Sequence, residues 1–220
     1  MIAQPETYLT NLLPELAKQW PGNRTINIVC HGHSVPAGYF ATPYVNTLAA
    51  YPHLLLEGLK ERFPFAVINV IVTAIGGENS VQGALRFESE VLCHRPDVLT
   101  IDYALNDRGI GLQHANAAWR SMIERALKYN VKLILLTPTH DQFAIRSGDP
   151  SSAQELALHA AQVRSLADEY DLGLADSDAA FSNYTGEGGH LFDLLSHVNH
   201  PNRKGHQIVA EKILRYFPAQ

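Results

Sequence analysis

Cysteine is nearly absent from this sequence, which contains two among its 220 residues. Cys30 and Cys93 form no Cys-x-x-Cys pair, so the sequence predicts neither a disulfide framework nor a structural zinc site. Cys30 lies in a predicted core strand and Cys93 near a predicted helix end. Because free cysteine is among the most buried residue types, we interpret both as buried, reduced thiols.

Long apolar runs and an excess of positive charge are also absent. No run is long enough to cross a bilayer, and residues 1–6 lack the basic and apolar regions of a signal peptide. The 17 basic and 22 acidic side chains give a formal charge of −5, which disfavours nucleic acid and anionic membranes as partners. The sequence therefore predicts a cytoplasmic protein, unless a signal peptide has been removed, that acts on a neutral or modestly charged small molecule. It leaves the oligomeric state open.

What the sequence does contain is enough apolar material for one core. With 46% hydrophobic residues, we expect a single domain over residues 1–220. Leucines spaced three and four apart predict a helix over 5–20, and the segment 1–22 is expected to pack on the outside of the fold.

Strand and helix patterns alternate along the chain. Five strands are predicted: one starting at Thr25, and others over 65–75, 98–103, 132–137 and 172–176. Between and after them, helices are predicted over 43–63 with a kink at Pro52, over 80–95, over 113–128, from a capping box at Ser152 to about 170, and after Asn202. Residues 182–189 are predicted as a loop. This alternation predicts a parallel sheet covered by helices on both faces, a three-layer α/β/α sandwich.

Polar residues of catalytic type follow the predicted strands, at the edge where parallel sheets bind ligands. They lie in four segments: Gly32-His33-Ser34, Gly76-Gly77-Glu78-Asn79, Ala104-Leu105-Asn106-Asp107 and His197–Asn202. Together, in this order, the four segments resemble the blocks of the SGNH hydrolases, also called GDSL-type esterases and lipases. The resemblance runs from about Ile26 to Leu214. It implies that family's flavodoxin-like sheet, with five parallel strands in the order 2-1-3-4-5.

The resemblance also implies a serine esterase that works through an acyl-enzyme. Ser34 would be the nucleophile and His200 its base, because a serine hydroxyl needs a neutral imidazole to activate it near pH 7. The backbone N–H groups of Ser34 and Gly77 and the side-chain amide of Asn106 would form the oxyanion hole. The expected substrate is a short-chain, O-acetyl ester of a carbohydrate or other small alcohol, with no cofactor. The absence of a long apolar lid disfavours long-chain lipids.

Three positions depart from the family pattern. His33 replaces an aspartate beside the serine, Ala104 replaces a glycine, and His197 replaces the aspartate three residues before the base. Three outcomes remain open for the third position: a Ser–His dyad with a backbone carbonyl accepting from His200, a carboxylate brought from Asp193 or Glu78, or a poor hydrolase. We favour the dyad, because a carbonyl can fix a histidine tautomer without a charge.

Other interpretations of the same residues are weighed against this one. The fold could serve as a non-catalytic binding module for a carbohydrate or other ligand, and acyl transfer to another alcohol is a close variant of hydrolysis. Histidines at five positions allow a metal-dependent hydrolase, although no supporting carboxylate or cysteine stands at ligand spacing. These are His31, His33, His197, His200 and His206. His206 is expected to pack in the last helix, Glu78-Asn79-Ser80 to cap a helix, and Tyr39, Phe40 and Tyr44 to line the substrate pocket.

Overall fold

Five parallel strands form one sheet in the order β2-β1-β3-β4-β5 in the computed structural model, which describes residues 1–219. The strands are β1 Thr25–Gly32, β2 Val67–Val72, β3 Val98–Asp102, β4 Lys132–Leu136 and β5 Gly173–Ala175. Every neighbouring pair is parallel, and helices cover both faces of the sheet. The predicted architecture and strand order are therefore confirmed.

The helices follow the predicted alternation with the strands. They are α1 Pro5–Tyr8, α2 Leu13–Ala17, α3 Ser34–Ala37, α4 Tyr51–Arg62, α5 Ser80–Leu85, α6 Phe87–Glu90, α7 Ala104–Asp107, α8 Gly111–Lys128, α9 Phe143–Ser147, α10 Ser151–Glu169, α11 Ser177–Gly186 and α12 Arg203–Leu214. Single 3-10 turns lie at Thr47–Ala49, Leu92–His94 and Leu191–Asp193. Across the part of the chain that is described, none of these helices has the length and apolar character needed to cross a membrane.

Two apolar cores flank the sheet because neighbouring strand residues point to opposite faces. Ile28 of β1 packs in the core beneath α4 and α12, while Val29 packs in the core beneath α8 and α10. Both residues are fully buried. Strands buried on both faces read as continuous apolar runs, which explains why the inner strands were readily recognised in the sequence.

Two helix predictions need correction at their proline residues. The predicted helix over 5–20 is two short helices, because the chain turns after Tyr8 and restarts with Pro14 in the first turn of α2. The predicted kink at Pro52 is the start of α4, where the missing N–H of proline leaves no hydrogen bond unmade. The segment before Tyr51 is loop with one 3-10 turn rather than helix.

Other corrections concern exposure and caps. Strand β2 is predicted as buried, but it lies at the sheet edge and alternates between exposed and half-buried residues. Of residues 182–189, predicted as a loop, 182–186 belong to α11, which Asp176 caps by accepting from the amide of Ala179. Ser152 caps no helix; its hydroxyl accepts from Arg108 instead. Cys93 is exposed rather than buried, whereas Cys30 is buried as expected.

Candidate active site

The turn after β1 presents Ser34 at the carboxyl edge of the sheet. Gly32 closes the strand against the carbonyl of Asp102, where any side chain would collide. Ser34 then begins α3, and the ring Nδ1 of His33 caps this helix by accepting from the amide of Val35 at 3.2 Å. The hydroxyl of Ser34 is thereby held on a short, defined turn, as a nucleophile requires.

His200 lies against this hydroxyl. Its Nε2 is 3.0 Å from Oγ of Ser34, and its Nδ1 is 3.2 Å from the carbonyl oxygen of Phe40. A carbonyl can only accept, so Nδ1 carries the proton and Nε2 is left to take one from Ser34. Burial lowers the pKa of His200 below its ordinary value, although the Phe40 contact opposes this. The imidazole is therefore neutral near pH 7, the state that a general base needs.

The three predicted oxyanion donors follow neighbouring strands at the carboxyl edge of the sheet. Gly77 adopts φ +81°, a conformation that favours glycine, and sits on an exposed turn. Within residues 1–219, the amides of Ser34 and Gly77 donate to no protein acceptor. Asn106 uses one side-chain N–H on the carbonyl of Glu78 at 2.9 Å, which leaves its other N–H available. These three predicted oxyanion donors are the ones that a developing negative charge would need.

A buried network supports the turn that carries Gly77. The carboxylate of Glu78 accepts from Nε of Arg86 at 2.7 Å and from the hydroxyl of Tyr103 at 2.7 Å. Burial alone would raise the pKa of Glu78, but the hydrogen bonds from Arg86 and Tyr103 lower it below its ordinary value. Glu78 is therefore an anchored anion. Its side chain pairs with Arg86 and not with His200, and the cap of α5 is Asn79.

The predicted substitutes for the triad aspartate lie elsewhere. The carboxylate of Asp193 accepts from the hydroxyl of Tyr184 at 3.0 Å and from the amide of His190 at 3.1 Å. The side chain of His197 is exposed, and its carbonyl accepts from Gln142. Neither side chain makes a hydrogen bond to His200 in the described part of the chain. The arrangement present at Nδ1 is the carbonyl of the dyad alternative.

The histidines do not converge as metal ligands. His31 makes hydrogen-bond contacts with Thr73 and Gly83, and burial lowers its pKa to about 4. Nδ1 of His206 accepts from the amide of Tyr51, and burial lowers the pKa of His206 to about 3. Across residues 1–219, no three His, Cys, Asp or Glu side chains are placed to hold a metal ion.

Of the three aromatic residues expected to line the pocket, Tyr39 lies beside the base. The ring of Tyr39 lies 5.9 Å from that of His200 and packs against Gly76, where a side chain would collide with it. Tyr44 is exposed, and Phe40 contributes its carbonyl rather than a pocket wall. The sequence predicted a backbone carbonyl at Nδ1 of His200 but not which residue supplies it, because backbone acceptors leave no residue signature.

The fold and the site together are those of an ester hydrolase of the α/β class. The GDSL-like Lipase/Acylhydrolase family model matches residues 30–208. The chain belongs to this family and is a carboxylic ester hydrolase. A comparison with curated protein sequences gives no significant match.

Solved structures of esterases and lipases share the fold. The acetylxylan esterase Axe2 from Geobacillus stearothermophilus aligns with a TM-score of 0.75 and 22% identity, over 89% of this chain and 95% of Axe2. A catalytic mutant of Axe2, in which an aspartate is replaced by alanine, aligns with a TM-score of 0.76, 21% identity and the same coverage. A putative GDSL-like lipase from Parabacteroides merdae aligns with a TM-score of 0.73 and 19% identity, over 89% of this chain and 96% of that one.

Proposed function

We propose that this protein hydrolyses short-chain acyl esters, in particular O-acetyl esters of a carbohydrate or another small alcohol, through an acyl-enzyme on Ser34. One observation carries the proposal: Oγ of Ser34 lies 3.0 Å from the unprotonated Nε2 of His200, beside the unpaired amides of Ser34 and Gly77. This pairing of nucleophile and base, with the tautomer that the reaction needs and with amides left to donate, supports the proposal.

In the first half-reaction, Oγ of Ser34 forms a bond to the ester carbonyl carbon while its proton moves to Nε2 of His200. The carbonyl oxygen becomes an oxyanion, which the amides of Ser34 and Gly77 and the side chain of Asn106 stabilise. The C–O bond to the alcohol then breaks, and the leaving oxygen takes the proton from His200. The products are the free alcohol and an ester of Ser34.

In the second half-reaction, water attacks the same carbonyl carbon and gives its proton to Nε2 of His200. The oxyanion forms again in the same donors. When the Oγ–C bond breaks, Ser34 recovers its proton from His200 and the carboxylic acid leaves. Throughout, the carbonyl of Phe40 accepts from Nδ1–H and keeps the imidazole ring in place.

The narrow surroundings of the serine, which is 6% exposed, favour a small acyl group. Two cavities of the described residues lie away from Ser34. One, of about 1130 Å³, adjoins the amino ends of the strands, where Arg24, Asp97 and Lys132 line it. Tyr39 also closes one side of the site between His200 and Gly76. The likeness in fold to an acetylxylan esterase supports an acetylated carbohydrate as the substrate class.

Hydrolysis of chromogenic acetate, butyrate and octanoate esters tests the proposal, together with a serine-reactive phosphonate read by intact mass. We expect turnover that is fastest with acetate, and a single phosphonate adduct. Ser34→Ala should lose both, while Ser196→Ala, which removes a hydroxyl bound to the carbonyl of His200, should keep the adduct. Release of acetate from acetylated xylo-oligosaccharides would then test the carbohydrate.

Activity that survives in Ser34→Ala would contradict the mechanism in which Ser34 forms the acyl-enzyme. A preference for octanoate over acetate would overturn the short-chain assignment and leave the nucleophile intact. If the chromogenic acetate is hydrolysed and acetylated sugars are not, the substrate is another small ester.

A further inference from the structure

A second imidazole, that of His33, lies near the hydroxyl of Ser34 together with His200. Nδ1 of His33 is 3.4 Å from Oγ of Ser34, while Nε2 of His200 is 3.0 Å from the same atom. His33 is fully buried, so its ring has one fixed environment. The nucleophile therefore contacts two histidines.

The protonation of His33 follows from its partners. The amide of Val35 donates to Nδ1, so this nitrogen carries no proton and the neutral ring is protonated at Nε2. The acid that faces Nε2 is Asp102, whose Oδ1 lies 3.4 Å away. Asp102 ends β3 opposite Gly32, in the strand next to the nucleophile strand.

Asp102 is an unusual residue in this position. It is 4% exposed, and within residues 1–219 Nε2 of His33, 3.4 Å from its Oδ1, makes no hydrogen bond to it. A buried carboxylate with so few partners costs stability, so packing alone gives no reason for it. Its one close polar neighbour is the histidine that contacts Ser34.

We infer that Asp102 and His33 are positioning residues that supply, from the serine side, the negative charge that the missing triad aspartate would supply from the base side. This inference rests on the proposed Ser34 mechanism. The contacts form one series: Asp102, His33, Ser34, His200 and the carbonyl of Phe40. Oδ1 of Asp102 faces Nε2 of His33 across 3.4 Å without a hydrogen bond, so it acts on the site through its charge, which favours the imidazolium that forms on His200.

Titratable groups surround both ends of this series. Those that act on His200 are His33 and His197, and the ring of Tyr39 lies beside it. Those near Asp102 are His33, Tyr51 and Cys30. The buried Asp107 also lies close enough to interact with His33, but its carboxylate accepts from the amide of Ser80 and from Nε1 of Trp119, so the charge of Asp102 is the one to remove.

Asp102→Asn removes the charge and keeps the shape. We expect kcat to fall by roughly 10-fold to 100-fold with little change in KM, because the ground-state contacts to substrate are untouched. The ascending limb of the kcat/KM profile, which reports the pKa of free His200, should move to lower pH by about half a unit or more, because a nearby negative charge favours the imidazolium. A purely structural defect in Asp102→Asn would lower the maximum value of kcat/KM without shifting the ascending limb along the pH axis.

Asp176→Asn is the matched control. Asp176 also follows a strand, β5, and is partly buried, but it pairs with Arg164. Its loss should lower thermal stability and leave the ascending limb in place. The inference would be overturned if the ascending limb of Asp102→Asn coincides with that of wild type and its kcat is within about threefold of the wild-type value.

A double replacement covers the case in which Asp102→Asn does not fold. His33→Asp restores the family residue but places two buried carboxylates together, which is unfavourable. His33→Asp combined with Asp102→Asn leaves one carboxylate beside Ser34, and we expect it to exceed His33→Asp in kcat by about tenfold or more. A double variant no better than His33→Asp would overturn the inference. Activity in Ser34→Ala would instead show that the proposed mechanism itself is wrong.

Discussion

Nδ1 of His200 lies 3.2 Å from the carbonyl oxygen of Phe40, so a peptide group occupies the place of a triad carboxylate. A carbonyl fixes the tautomer of the imidazole without neutralising the charge that develops on it. The base is thus oriented from one side by an uncharged group, while a buried acid, Asp102, faces the ring of His33, which contacts Ser34.

His197→Ala should therefore keep most of the activity, within about threefold of wild type. The exposed side chain at this position makes no hydrogen bond to the base, and the carbonyl that accepts from Gln142 survives the change. Steady-state kinetics on a chromogenic acetate would be compared with His200→Ala, which should lose about 10³-fold or more. Equal losses in the two variants would contradict the proposed Ser–His dyad.

Asp193→Ala should also keep nearly all of the activity, because its carboxylate accepts from Tyr184 and His190 and not from His200. A drop in kcat of about 10²-fold in the same assay would place Asp193 in the site.

Much of the fold was predictable because its inner strands are apolar on both faces. The stretches ending near Gly32 and Asp102 needed no tertiary information to be recognised as strands. The edge strand β2 looks equally apolar in sequence, and only its place in the sheet exposes it. Helix α11 was not predicted, because its residues from Ser182 to Gly186 are of types that are common in loops. Its N-cap, Asp176, directly follows strand β5 and was therefore assigned to the strand.

The candidate site was predictable only where a residue type carries the chemistry. Ser34, Gly77, Asn106 and His200 stand in short motifs, so a resemblance could point to them. The carbonyl of Phe40 leaves no side-chain signal. Asp102 looks like an ordinary strand residue, and its relation to His33 exists only because β1 and β3 are neighbours.

Asn106→Ala should lower kcat by about 10²–10³-fold, because one of three oxyanion donors disappears. Asn79→Ala is a close control: Asn79 lies two residues from Gly77 but caps α5 by accepting from Gln82. That variant should lose about 1 kcal/mol of stability and little activity. Thermal unfolding and kinetics on both proteins separate the two roles, and a comparable loss of kcat in Asn79→Ala would argue that the turn as a whole, rather than the Asn106 amide, is responsible.

Glu78→Gln should lower both stability and kcat. It breaks a buried ion pair with Arg86, at a cost of about 3 kcal/mol, and loosens the peptide that holds Asn106. The folded pKa of Glu78 is lowered, so its stabilisation is fully present above its unfolded value near 4.5 and is lost as pH falls through the folded value. Denaturant unfolding at several pH values should show the gap between variant and wild type shrinking below about pH 4.5. Glu90→Gln, which removes the exposed partner of the same arginine, should cost less than about 0.5 kcal/mol, and an equal cost would contradict the role of burial.

His206 should make the fold sensitive to acid. Burial lowers the pKa of this histidine to about 3, so the unfolded chain binds the extra proton first as pH falls below about 6.5. The free energy of unfolding therefore declines between about pH 6.5 and pH 3, and His206→Gln should flatten this decline while lowering stability at pH 7, because the amide of Tyr51 loses its acceptor. Urea titrations across this range measure the slope, with the exposed His114→Gln as a control that keeps the wild-type slope. If His206→Gln retains the wild-type slope, the acid response belongs to other groups, of which the buried His31 is the first to test.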